Sequence, residues 1–137
     1  MPRTVRLLAL CIPLLAASCA GLDRNDQGNL QPQTVRGPCD VKKFFLLGFR
    51  SVPADMTVRN TGEACSFTLL NPDLQIVLTA ALVTMPPSHG RATAELTTGN
   101  RQGLVGYIPQ PGFHGTDKFA VTFEPNATGV TVNVVVQ

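Results

Sequence analysis

Tyr107-Ile108-Pro109-Gln110-Pro111-Gly112-Phe113-His114-Gly115-Thr116-Asp117-Lys118-Phe119-Ala120-Val121 is the stretch of this 137-residue chain whose reading decides the fold. Pro109 ends a strand, because proline has no N–H to give to a ladder. Gly112 and Gly115 permit positive φ where the chain crosses between sheets. Phe113 can plug the end of a core. Asp117 can accept hydrogen bonds from loop amides, as Asx turns do. Phe119 and Val121 then point inward from a new strand. The stretch reads as a structural corner, and nothing in it activates a substrate.

Outward from the corner, period-two alternation continues in both directions. Downstream, residues 118–124 place Phe119, Val121 and Phe123 inward, and residues 130–136 do the same with Val130, Val132, Val134 and Val136. Upstream, short strand-like pieces at 104–108, 91–96, 65–70 and 55–59 are separated by turn signals such as Asn60-Thr61-Gly62 and Asn71-Pro72-Asp73. Residues 74–84 are apolar and β-branched, although Leu74, Val77, Leu78 and Leu82 also fit a helical stripe. The dense run Phe44-Phe45-Leu46-Leu47-Gly48-Phe49 reads as a central core strand. Exposed on an edge, it would instead suit strand addition to a partner. Twelve Gly and eleven Pro among only 15% charged residues agree with an all-β domain rich in turns. About seven strands in about 100 residues predict an all-β sandwich.

The motif Tyr-x-Pro-x-x-Gly-Phe-x-Gly-x-Asp-x-Phe-x-Val, preceded by Pro87-Ser88-His89-Gly90, resembles the Ig-like and cadherin-like domains repeated in bacterial surface proteins. The likeness covers the C-terminal half of the domain. It implies an Ig-like β-sandwich with Tyr107, Pro109, Gly112, Phe113, Gly115, Asp117 and Phe119 as its corner. Some relatives bind calcium between repeats. Here Asp117 has no acidic cluster near it in sequence.

The N-terminus is read separately. Arg3 and Arg6 precede the apolar run from Leu7 to Ala17, the pattern of a secretory signal. Leu15-Ala16-Ala17-Ser18-Cys19 resembles the lipobox of bacterial lipoproteins, which implies cleavage before Cys19 and acylation of that cysteine. The alternative is ordinary cleavage near Ala20 without a lipid. Two or three acyl chains, at about 0.8 kcal/mol per buried methylene, hold essentially permanently. Ala20, rather than Asp, after Cys19 implies the outer membrane by the usual sorting preference. The expected organisation is a signal at 1–18, lipidated Cys19 and a flexible tether to residue 37, and the domain at 38–137. An alternative places a first edge strand at 31–36.

Removing the signal takes Arg3 and Arg6 from the eleven basic residues and leaves nine against nine acidic ones. A neutral mature chain does not point to nucleic acid. The expected partners are the membrane, through the N-terminal lipid, and a protein or envelope polymer. Of four cysteines, Cys11 leaves with the signal and Cys19 takes the lipid. Cys39 and Cys65 remain as a pair in an oxidising compartment and read as a disulfide. In the chain-entropy model, closing the span between them is worth about 3.5 kcal/mol.

Chemistry-bearing residues are sparse. His89 and His114 each precede a glycine in a turn, on either side of two strands; with Asp117 they suggest a metal triad or a base with its orienter, although the favoured reading is ordinary loop histidines. Ser51, Ser66 and Ser88 lie in no nucleophile elbow. The scattered carboxylates form no hydrolytic pair. The expected function is an envelope structural or interaction module without catalysis and without a cofactor. The alternative is a calcium- or small-ligand-binding module using residues 112–118.

Overall fold

The computed structural model describes residues 34–44, 50–70, 77–97, 99–125 and 127–137. The signal, Cys19 and the tether up to residue 33 therefore lie outside the described residues, as do residues 45–49 of the apolar run. Nine strands occur among the described residues: β1 (Val35–Arg36), β2 (Cys39–Val41), β3 (Ser51–Val58), β4 (Cys65–Leu70), β5 (Ala80–Met85), β6 (Gly90–Leu96), β7 (Gln102–Pro109), β8 (Gly115–Glu124) and β9 (Thr128–Val136). They form a four-stranded sheet, β1-β4-β7-β6, and a five-stranded sheet, β2-β3-β9-β8-β5. The protein is an all-β sandwich.

Alternation builds the core. In β8, Phe119, Val121 and Phe123 are buried, and in β9 the four even-numbered valines are buried. β4 contributes Cys65, Phe67 and Leu69, and β7 contributes Val105 and Tyr107. Each large apolar side chain taken from water in this way stabilises the fold by roughly 1.5–3 kcal/mol. Cys39 and Cys65 are disulfide-bonded, with Cα atoms 5.7 Å apart. The bond joins β2 of one sheet to β4 of the other, so it staples the two layers together.

Several elements differ from the expected ones. The strand count exceeds about seven because β1 and β2 are short edge pieces of two and three residues. β1 occupies the last two residues of the segment where an edge strand was the alternative, and it pairs with β4. β3 begins at Ser51, upstream of the expected start at Asp55, and contains Pro53. Pro53 gives no N–H to a ladder, and among the described residues the β2 side of β3 is paired only from Asp55 to Val58, short of Pro53. β3 also runs parallel to β9 along its whole length. Of the expected element at 74–84, residues 74–76 lie outside the described residues; β5 spans Ala80–Met85, with no helix among the described residues. Residues 77–79 precede it as an irregular link, anchored by the Leu78 N–H donating to the Asn100 carbonyl at 2.8 Å. Phe44 belongs to no strand; it is buried and meets Phe67 edge-on at 6.1 Å.

Candidate functional site

The corner residues come together at one end of the sandwich. β7 ends at Pro109, the chain turns through 110–114, and β8 starts at Gly115 in the other sheet. Gly112 has φ +76° and Gly115 φ +141°. Side chains with a Cβ rarely adopt such backbone states. Phe113 is half-buried against the core. Tyr107 and Phe119 are fully buried and stack across the two sheets, with ring centroids 5.6 Å apart.

Asp117 organises this end. Its Oδ1 accepts from the backbone N–H groups of Ser88 and Lys118, both at 2.9 Å. Its Oδ2 accepts from the His89 N–H at 2.9 Å and from the Tyr107 hydroxyl at 3.0 Å. One carboxylate thereby ties the β5–β6 connection, β7 and the start of β8 into a single joint. Burial alone would raise the Asp117 carboxyl. The three N–H groups and the tyrosine hydroxyl outweigh it and hold the carboxyl below its ordinary range. Burial, then the hydrogen bond to Asp117 and its charge, push the Tyr107 phenol up.

The two histidines do not complete a triad with Asp117. His89 reaches the carboxylate through its backbone N–H, and its imidazole lies flat on Phe113, with centroids 4.2 Å apart. His114 is exposed in the turn. No group of three His, Cys, Asp or Glu side chains placed to hold a metal occurs among the described residues. Each oxygen of Asp117 already accepts two hydrogen bonds, so a cation at residues 112–118 would have to displace part of the joint. Cys19 lies outside the described residues.

Two contributors escape a reading of the sequence. Asn60, there only a turn residue, donates its side-chain amide to the carbonyls of Gln110 at 2.8 Å and Phe113 at 3.0 Å. It thus clamps the β3–β4 turn to the corner. Gly90 lies beneath Tyr107, and a Cβ there would come within 2.7 Å of the ring and 2.6 Å of the Ile108 carbonyl oxygen. In the sequence Gly90 belongs to the motif without a visible reason. The corner stretch alone shows neither contact, because Asn60 and Gly90 lie outside it.

Beside the joint, a shallow groove of about 600 Å³ runs between Met85, Pro86, Lys118, Asn133 and Val135. Met85 at its rim belongs to β5, one of the two outer strands of the five-stranded sheet among the described residues. Ala80-Ala81-Leu82-Val83-Thr84-Met85 carries no charge, and Leu82 is 48% exposed. β6, one of the two outer strands of the opposite sheet, instead displays exposed Arg91 and Glu95. Charges of that kind discourage edge-to-edge pairing, and β5 lacks them.

No protein-family model matches this chain, and no curated protein matches it.

Proposed function

We propose that this protein is a lipid-anchored, non-catalytic module of the cell envelope, a single Ig-like sandwich that engages a protein partner along the β5 edge. The observation that carries this reading is the contrast between the two candidate sites. The polar groups at the corner are bonded to one another and serve the fold. Among the described residues no strand pairs with β5 on the side away from β8, Leu82 is exposed, and the strand carries no charge to repel an incoming one. An added strand gains affinity from the ladder and selectivity from alternate side chains. The lipobox-like segment ending in Cys19 supports the anchor, and the resemblance implies the outer membrane.

The test combines metabolic palmitate labelling with cell fractionation. Label on the wild-type chain, its loss in Cys19→Ala and the release of that variant from the membrane fraction are expected. Label that survives Cys19→Ala would refute the anchor.

A further inference from the structure

The residues of the β6 edge form a pattern about a centre. β6 reads Gly90-Arg91-Ala92-Thr93-Ala94-Glu95-Leu96. Arg91 and Glu95 stand two places to either side of Thr93, with one alanine between on each side. Reversing the order of residues 91–95 exchanges Arg for Glu and changes nothing else. Both charged side chains are exposed, and among the described residues neither takes part in an ion pair. Ala92, Ala94 and Leu96 face the other way, partly buried against the core.

The ladder with β7 fixes which backbone groups of β6 point outward. The Gln110 N–H donates to the His89 carbonyl at 2.8 Å, and the Thr97 N–H donates to the Gln102 carbonyl at 3.0 Å. Residues 89 and 97 thus turn their polar groups toward β7, and by period two so do Arg91, Thr93 and Glu95. Gly90, Ala92, Ala94 and Leu96 turn theirs to the opposite side. Among the described residues no strand pairs with β6 there.

We infer that the β6 edge binds a second copy of this chain, antiparallel, about a two-fold axis through Thr93. In that register Arg91 of each copy faces Glu95 of the other, and the two Thr93 side chains meet at the axis. These are non-hydrogen-bonded pairs, with Cα atoms about 4.5 Å apart and side chains at their closest. Opposite charges and paired threonines are favourable at such positions. The outward backbone groups come into register at the same time. Gly90 pairs with Leu96, and Ala92 with Ala94, in both directions, for up to about eight hydrogen bonds. Leu96 then lies across from a residue without a side chain, and alanine lies across from alanine, so the inner face is not overcrowded. Every contact occurs twice, as a two-fold interface requires. Edge charges repel an unmatched strand, so the same pair that rejects other strands selects this one. Any substitution of Arg91 removes both ion pairs at once. β6 belongs to the sheet that lacks β5, so the pairing does not rest on the β5 reading.

Charge exchange tests the register. The full chain is purified in detergent, and its mass is followed by sedimentation equilibrium at matched density. The wild type is expected to dimerise. Arg91→Glu and Glu95→Arg should each weaken the dimer by about tenfold or more, because either one sets like charges opposite each other twice. Mixing the two variants should restore a dimer containing one of each, and combining both substitutions in one chain should restore a dimer of that chain. Both side chains are exposed, so thermal unfolding of dilute protein should stay close to that of the wild type, which separates loss of pairing from loss of fold. Thr93→Cys should give a covalent dimer on mild oxidation, because the two sulfurs meet at the axis. A wild type that stays monomeric, single exchanges without effect, or no recovery in the mixture would overturn the inference. A dimer lost in Thr84→Lys but kept in Arg91→Glu would assign the contact to β5 and overturn it as well.

Discussion

Replacing Asp117 by alanine probes the joint that holds this end of the sandwich. The side chain accepts four hydrogen bonds, three from backbone N–H groups and one from the Tyr107 hydroxyl. In Asp117→Ala the N–H groups of Ser88 and His89 lie near the surface and can turn to water, so their loss is partly offset. Tyr107 is fully buried and cannot. Its hydroxyl has one other acceptor nearby, the His89 carbonyl at 3.5 Å, which is too far for a good bond without movement. An orphaned buried hydroxyl costs about 1–3 kcal/mol, and loosening the β5–β6 connection adds roughly 1 kcal/mol. The expected loss is about 3 kcal/mol, a large share of the roughly 5–15 kcal/mol typical of a domain. It corresponds to a fall of roughly 12–24 °C in unfolding temperature for a domain of this size. Tyr107→Phe removes one bond and orphans no buried donor, so it should cost about 1 kcal/mol. In the double variant the orphan disappears, and the combined loss should fall short of the sum by about 1 kcal/mol or more. Urea unfolding followed by far-ultraviolet circular dichroism measures all four proteins. An Asp117→Ala loss below about 0.5 kcal/mol, or strict additivity, would refute the reasoning.

Three further outcomes follow from the same geometry. The Asp117 carboxyl is held below its unfolded value. Its contribution is therefore complete above about pH 4 and is lost as pH falls through the lower folded value. Asp117→Asn should flatten the decline of the urea midpoint on that acid limb, and parallel profiles for variant and wild type would contradict it. Tyr107 is the only tyrosine in a chain without tryptophan, so absorbance near the phenolate band reports its ionisation alone. Its phenol is raised by burial and by Asp117. It should stay protonated in the native protein while the unfolded chain titrates near about pH 10, and stability should fall as pH rises above that point. A native titration near about pH 10 would contradict the buried Tyr107–Asp117 bond. Gly90→Ala should destabilise by about 1–3 kcal/mol, because its Cβ meets the Tyr107 ring and a backbone carbonyl that cannot swing away. Thermal unfolding unchanged by that substitution would show that the ring does not pack there.

The sequence was most legible where one strand face meets the core. From Asp117 to Phe123 in β8 and from Val130 to Val136 in β9 the buried residues follow from period two alone. The disulfide followed from counting cysteines once Cys11 and Cys19 were assigned elsewhere, and the structure adds that it links the two sheets. Legibility failed where long-range geometry overrides local signals. The expected strand at 55–59 starts after Pro53, yet β3 includes that residue, and among the described residues β2 does not reach it. The parallel pairing of β3 with β9 joins segments from opposite ends of the domain and leaves no local mark. Asn60 resembled any turn asparagine until the Gln110 and Phe113 carbonyls appeared opposite it.

The central claim is that the β5 edge, and not the corner, is where this module meets a protein partner. It is tested most directly by placing a photo-activatable amino acid at position 82 in intact cells, with position 91 on the β6 edge as the control. One discrete adduct is expected from position 82, and it should disappear when Thr84→Lys puts a charge on the same edge. No adduct from position 82, an equal adduct from position 91, or an adduct that survives Thr84→Lys would contradict the account.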